Sequence, residues 1–235
     1  MIANACAFDY AAVNFAGTAA PFPGHPEGLV SSAQGVPFNI APVGGNSVWC
    51  PGPCAGIGPS ARYTMTANVG LSGIKTVYAL MNTAWGIEGE TKNWVQFEFE
   101  NTASLPVIGL TTGNDLRDPN LLYSSHINGI STVQAIYIPV GVDYNPDVVD
   151  MVAFSVPESL QGKTLKSIHF STDYEVFNND MYLLGITAST LDHVTPGAIV
   201  IAVPEPETYA LMLNGLLVVG AVYRRRKFFK WSFQR

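Results

Sequence analysis

The feature that most constrains this chain lies near its C-terminal end, where an uncharged apolar run stops at a basic block. The run covers residues 209–223 and contains one strongly polar side chain, Asn214. It is apolar on every side, so it lacks the polar stripe that a surface helix of a globular domain requires. The block that follows comprises Arg224, Arg225, Arg226 and Lys227. Adjacent like charges cannot be buried together, so these four residues must lie in water. Any apolar environment around the preceding run must therefore end where the basic block begins.

Two structures remain open for residues 209–223, a buried core helix and a membrane-spanning helix. Fifteen helical residues extend about 22 Å, whereas a bilayer core is about 30 Å thick and usually needs about 20 residues. However, Tyr209 and Tyr223 suit membrane interfaces, and basic side chains can snorkel to lengthen a short span. We therefore predict a single transmembrane helix over residues 209–223. By the positive-inside rule, residues 224–235 form a basic cytoplasmic tail and the body lies outside.

The segment just before the apolar run is a stiff linker, Val203-Pro204-Glu205-Pro206, because proline fixes φ and keeps the preceding residue extended. This motif, a short spacer, an apolar helix and an Arg-rich end together resemble the PEP-CTERM sorting signal of Gram-negative bacteria. The resemblance implies that an exosortase, a membrane cysteine protease, recognises Pro204, Glu205 and Pro206 and processes the tail. It also implies export alongside exopolysaccharide production. The chain after Lys227 is longer than this signal leads one to expect, and a plain linker is the alternative for the motif.

The first seven residues resemble the end of an export signal. They hold two small-x-small triplets, at residues 3–5 and 5–7, but neither the basic region nor the apolar stretch of a complete signal peptide. We expect residues 1–7 to be the remnant of a signal peptide that starts upstream, with the mature chain beginning near Cys6 or Phe8.

Cysteine usage agrees with an oxidising compartment. Cys50 and Cys54 flank a Pro-Gly-Pro turn, and we predict a disulfide between them. Free thiols and a metal site are the alternatives. The spacing is not that of a redox C-x-x-C motif, and a zinc site would need two more ligands at suitable spacing.

The body, residues 8–200, is predicted to be all-β, with 201–208 as the linker to the membrane segment. Its strand signals are runs rich in β-branched and aromatic residues separated by Gly, Pro, Asn and Asp clusters. The runs cover residues 36–40, 62–69, 75–81, 94–100, 132–140, 148–156, 165–172 and 181–189. Strict alternation places Val95, Phe97 and Phe99 inward and Gln96, Glu98 and Glu100 outward. Such a series of short strands predicts a β-sandwich or jelly roll.

Several short segments of the body resemble the galactose-binding-like jelly rolls that accompany carbohydrate-active enzymes. They are residues 35–40, 76–82 with the following Trp85-Gly86, 113–118 and 165–168. The resemblance implies a two-sheet sandwich, often with a structural calcium and sometimes a sugar site on a loop rim. Asn114, Asp115 and Asp118 are the calcium candidates because calcium prefers such oxygen ligands in loops. Asn and Asp are also ordinary turn formers, so a plain turn is the alternative.

Several other residues have side chains suited to catalysis or ligand binding. Glu98 and Glu100 would lie about 6.5–7 Å apart along a strand, near the separation of an inverting glycosidase pair, although a solvated outer face is the ordinary reading of such a pattern. The four histidines are scattered, and His169 falls within a strand as a structural residue. Trp49 and Trp85 border glycine-rich segments and are the candidates for stacking on a sugar ring, whereas Trp94 is expected to pack.

Charge limits the classes of partner. Half of the twelve basic residues lie in the last twelve positions, and all eighteen acidic residues precede them. An acidic body lacks the basic footprint that nucleic acid requires. The sequence therefore predicts an exported, non-catalytic β-sandwich, sorted to the cell surface or extracellular matrix, that binds glycan or contributes structure. The alternatives are a glycoside hydrolase or lyase that uses Glu98 and Glu100, and an adhesin-like protein without a small ligand.

Overall fold

The computed structural model describes residues 8–10, 19–20, 28–40, 48–49, 61–84, 86–118, 126–138, 147–174 and 180–203. The chain divides into two compact units, Met1–Ile201 and Ala202–Arg235. All but the first two residues of the second unit lie outside the described ranges, so the predicted transmembrane helix over residues 209–223 also lies outside them. Within the described ranges, no helix has the length and apolar character that a membrane crossing requires.

The first unit is all-β, which confirms the predicted class. Its only described helix is the single turn α1, Glu158–Gln161. The strands are β1 Phe8–Tyr10, β2 Ala19–Ala20, β3 Gly28–Ser31, β4 Pro37–Ile40, β5 Val48–Trp49, β6 Ala61–Leu71, β7 Thr76–Ala84, β8 Thr91–Phe99, β9 Ile108–Thr111, β10 Thr132–Ile138, β11 Asp147–Ser155, β12 Leu165–Tyr174, β13 Asp180–Ser189 and β14 Ile199–Val200.

Two sheets carry most of these strands. The large sheet has the order β10-β11-β7-β13-β5-β2, with β1 on β13 and β14 on β11. The small sheet has the order β6-β12-β8-β9, and β3 pairs with β4 in a separate hairpin. Every pair is antiparallel except β11 with β14. Consecutive strands such as β6, β7 and β8 alternate between the two sheets, so most pairings join distant parts of the chain.

The two sheets pack against each other through apolar side chains. Phe97 on β8 and Phe154 on β11 meet edge to face, with ring centroids 5.4 Å apart. Val95, Phe97 and Phe99 are at most 2% exposed, which confirms the inward side of the alternation in β8. Burial of each such side chain stabilises the fold by about 1.5–3 kcal/mol.

The β3–β4 hairpin covers a second apolar surface of the large sheet. Val36, Phe38 and Ile40 form one buried cluster with Tyr78 and Leu80 of β7. Gly185 of β13 lies against this cluster, where a Cβ would be in ordinary van der Waals contact with the Phe38 ring at 3.5 Å. The structure is thus a sandwich with a hairpin as a partial third layer, which leaves the outer side of the small sheet facing water.

Candidate functional site

The outward side of the small sheet is polar because β6, β12 and β8 alternate, with their apolar residues turned toward the large sheet. Three rows of side chains cross these strands. In the first, Arg62 of β6 lies opposite Asp173 of β12. The other two rows run from β6 through β12 to β8; they are Thr64, Ser171 and Trp94, and Thr66, His169 and Gln96. We call this surface the polar face; its members are Arg62, Thr64, Thr66, Trp94, Gln96, Glu98, Lys166, Ser167, His169, Ser171 and Asp173.

Trp94 is the only tryptophan of the polar face, and it lies under an arginine. The Arg62 guanidinium carbon is 4.0 Å from the centroid of the Trp94 ring. Arg62 also donates from Nε and Nη2 to the two carboxylate oxygens of Asp173, at 2.7 and 3.0 Å. The hydrogen bond to Asp173 raises the pKa of Arg62. The side chains of Arg62 and Asp173 are 54% and 38% exposed, so a ligand can reach both of them.

Gly109 faces Trp94 from the neighbouring strand β9. A Cβ at this position would lie 2.6 Å from Thr91 Cγ2 and 3.8 Å from the Trp94 ring. A larger residue would therefore clash with Thr91, whereas its contact with the edge of the indole would be an ordinary one.

Hydroxyl and imidazole groups form cross-strand pairs beside Trp94. Thr64 Oγ1 and Ser171 Oγ are 2.8 Å apart, and Thr66 Oγ1 is 2.9 Å from His169 Nδ1. Such polar cross-strand pairs fix the side chains while leaving further lone pairs and protons available to a ligand. His169 lies within strand β12, as the sequence predicts.

Glu98 lies in an ion pair at the other end of the polar face. It accepts hydrogen bonds from Lys166 Nζ and, at 2.9 Å, from Ser167 Oγ. The Lys166 hydrogen bond lowers the pKa of Glu98 most, followed by the Ser167 bond. A glycosidase general acid needs a raised pKa, and the pKa of Glu98 is shifted in the opposite direction. Glu100 lies beyond the end of β8, in the turn that follows.

Ser167, His169 and Glu98 lie together but in an order that differs from a catalytic triad. Ser167 Oγ is 3.2 Å from His169 Nε2, and Glu98 Oε2 is 3.8 Å from the same ring nitrogen. In a triad the acid contacts the opposite nitrogen, which here is bonded to Thr66. Ser167 is 4% exposed.

A second charged cluster is buried and supports the loop after β9. Arg117 donates from Nε and Nη2 to both carboxylate oxygens of Asp150, each at 2.7 Å. Asn82 Nδ2 adds a bond of 2.8 Å to the same carboxylate. Burial raises the pKa of Asp150, and the bonds from Arg117 and Asn82 oppose that shift. Because the Arg117 carbonyl also accepts from Thr83 N, this cluster joins the loop to the end of β7.

The calcium candidates Asn114, Asp115 and Asp118 lie in that loop. Asp115 Oδ2 accepts from Thr111 N and its Oδ1 accepts from Asn114 Nδ2, both at 2.9 Å. Asp118 is 2% exposed. In the part of the chain that the structure describes, no group of three or more His, Cys, Asp or Glu is arranged to hold a metal ion. Both Asp115 oxygens thus bond within the loop, as in an ordinary turn, and calcium here stays a prediction.

Of the remaining predicted site residues, the structure describes only Trp49. Trp49 is on β5, where its backbone pairs with Leu183. Trp85, Cys50 and Cys54 lie outside the described residues, as do the sorting residues Pro204, Glu205 and Pro206 and the basic block from Arg224 to Lys227.

Trp94 was expected to pack, but it lies on the outward side of the small sheet, under Arg62. The alternation that places Val95 and Phe97 inward also turns Trp94 outward, so that pattern could have identified it. Arg62 and Asp173 carry no comparable signal, because 110 intervening residues hide their contact.

Comparison with protein families found the PEP-CTERM protein-sorting motif at residues 202–227. The searches of curated proteins and of solved structures found no match. The motif supports an exported protein that carries a sorting signal and is anchored in the membrane before processing by an exosortase. The body is all-β, and no structural match tests the predicted jelly roll.

Proposed function

We propose that this protein is a non-catalytic carbohydrate-binding or structural module of the cell surface or extracellular matrix, and that its polar face binds exopolysaccharide. The observation that supports this proposal is the arrangement of the half-buried Trp94 beneath the exposed pair Arg62 and Asp173. An indole offers a flat apolar surface for a sugar ring, and a planar Arg–Asp pair offers both donors and acceptors to adjacent sugar hydroxyls.

The charges of the polar face favour a neutral glycan. Arg62 is balanced by Asp173, and Lys166 is balanced by Glu98. The hydroxyls of Thr64, Ser171 and Thr66 add neutral hydrogen-bonding groups. A strongly anionic or cationic polymer would meet little net charge on this face. Stacking on Trp94 would require Arg62 to swing away from the ring, which its exposure allows.

The test is retention of the detergent-purified full chain on the producing organism's exopolysaccharide. We expect Trp94→Ala and Arg62→Ala to abolish retention, and Ile87→Ala, an exposed apolar site off the polar face, to leave it unchanged. A melting curve for each variant controls for folding. Trp49→Ala and Trp85→Ala test the two earlier candidates, and a chelator tests calcium. If the parent chain is not retained under any condition, the carbohydrate proposal is wrong and a purely structural role is favoured.

The enzyme alternative has less support from the geometry. The pKa of Glu98 is lowered, and Glu100 lies beyond the end of the strand. This arrangement gives no support to an acid–base pair of these two carboxylates. Turnover of the polysaccharide that is lost in Glu98→Gln would nevertheless establish it.

The sorting residues can be tested separately. We propose that Pro204, Glu205 and Pro206 are the recognition segment for exosortase. In cells that contain the protease, we expect Glu205→Ala to leave the full-length chain unprocessed in the membrane, whereas Glu207→Ala should be processed normally. Normal processing of both variants on an immunoblot would contradict this assignment.

A further inference from the structure

The chain leaves the first unit at one identifiable end of the large sheet. Thr76, at the start of β7, lies opposite Ser155, at the end of β11, and opposite Ser189, at the end of β13. Ile201 is 1% exposed, and its N–H donates to Ser155 O at 3.0 Å. We call this the exit end, because the linker and the sorting tail follow directly.

The segment between β13 and β14 is fixed across the exit end by a series of hydrogen bonds. Thr76 Oγ1 donates to Leu191 O at 3.0 Å, and Val194 N donates to Tyr78 Oη at 3.0 Å. Gly197 N then donates to Ile130 O at 2.9 Å, where a Cβ on the glycine would overlap the Ile130 side chain. The surface of this segment is therefore set by the folded unit.

Exposed apolar side chains concentrate at this end. Seven large hydrophobic side chains are exposed among the described residues, and four of them lie at this end. Leu191 and Val194 belong to the segment between β13 and β14 and are 45% and 44% exposed, and Val200 of β14 is 64% exposed. Ile130, which contacts Gly197, is 67% exposed. The charged neighbours Asp192 and Lys75 form an exposed ion pair at 3.5 Å. Apolar side chains interspersed with charged ones match the chemistry of a lipid headgroup boundary better than that of a dry protein interface.

The tether to the predicted membrane segment is short. Five residues, 204–208, separate Val203 from Tyr209, and fully extended they span about 20 Å. The headgroup region takes up about 5–8 Å of that on one side of the bilayer. An anchored chain therefore holds its exit end within a short distance of lipid.

We propose that the exit end rests on the membrane surface while the tail is anchored, with Ile130, Leu191, Val194 and Val200 in contact with lipid. This proposal depends on anchoring through residues 209–223. The contact orients the first unit on the membrane while the tail is anchored. Removal of the tail ends the contact, because a few partly exposed side chains do not hold a protein on a membrane alone.

The test is photo-crosslinking of the full chain in vesicles of phosphatidylethanolamine and phosphatidylglycerol. p-Benzoylphenylalanine is placed singly at positions 130 and 194, and lipid adducts are detected by mass spectrometry. Leu29 and Ile87 are the matched controls, because they are 59% and 45% exposed and lie elsewhere. Ile87 follows the opposite end of β7, about 27 Å along the strand. Position 216, in the apolar run, reports anchoring itself.

We expect adducts at positions 130, 194 and 216 and none above background at 29 and 87. Adducts at 216 without adducts at 130 and 194 would overturn the proposal while leaving the anchor intact. Equal yields at all four positions of the body would also overturn it, because they would show unspecific contact. If position 216 gives no adduct, the anchor fails and this proposal fails with it.

Discussion

Two arginine–aspartate pairs in this protein have nearly the same geometry in opposite surroundings. Arg117 and Asp150 make two bonds of 2.7 Å with side chains that are 16% and 0% exposed. Arg62 and Asp173 make bonds of 2.7 and 3.0 Å with side chains that are 54% and 38% exposed. The bond lengths alone would suggest equal importance. Burial instead assigns the first pair to the fold and leaves the second available to a ligand.

The two pairs differ in importance because a charge that loses its partner meets water in the exposed pair and an apolar interior in the buried pair. Water screens an exposed charge, and such pairs contribute about 0.2–1 kcal/mol. A buried charge without a partner costs about 3–5 kcal/mol, although replacing both partners by apolar residues can be nearly neutral. The two pairs therefore predict different responses to the same substitution.

The largest effect is expected from Arg117→Met, which leaves Asp150 buried and partly uncompensated. We expect the free energy of unfolding to fall by about 3–5 kcal/mol, as measured by urea denaturation of the full chain. The double variant Arg117→Met/Asp150→Leu should recover most of that loss. A loss of less than about 1 kcal/mol in the single variant would show that Arg117 does not compensate a buried charge.

A smaller effect is expected from Arg62→Met, the matched change in the exposed pair. We expect the unfolding free energy to change by no more than about 1 kcal/mol. A double-mutant cycle with Trp94→Ala should give a coupling of about 0.5–1 kcal/mol for the contact between guanidinium and indole. A stability loss as large as that of Arg117→Met would remove the distinction between the two pairs.

The smallest effect concerns pH and the exposed pair of Glu98 and Lys166. The pKa of Glu98 is lowered in the folded state from an ordinary value of 4.5. Its ionised form therefore stabilises the fold above the unfolded pKa, and that contribution is lost as pH falls through the folded pKa. We expect Glu98→Gln to be slightly less stable than the parent chain at neutral pH, with the difference vanishing in acid. Denaturation midpoints at several pH values would measure this, and a constant difference would contradict it.

The strands of the body were largely predictable because their signal is local. Each of the runs predicted from residues 62–69 to 181–189 corresponds to an observed strand, and Pro37–Ile40 lies within the predicted 36–40. The alternation of apolar and polar residues also predicted which side chains of β8 point inward. The strand Ile108–Thr111 was missed, since four residues ending in a turn give little periodicity.

Pairing was much less predictable, because register and sheet order depend on contacts between distant residues. Gly28–Ser31 has a weak strand pattern, and its role becomes visible only when the hairpin covers the large sheet. Asp150 interrupts an otherwise apolar run, which could have marked it as a buried charge. Its partner Arg117 is 33 residues away and has no sequence feature that connects the two.

The sheet order also affects when an exported chain can fold. β6 pairs only with β12 among the described strands, and Arg62 bonds to Asp173 across a separation of 111 residues. Such distant pairing costs loop-closure entropy before it gains contacts, and it slows folding to about milliseconds to seconds. Until β12 has crossed the membrane, β6 has no partner to join, and its edge is exposed to other chains. During export, the interval between the emergence of these two strands is therefore the period of greatest aggregation risk.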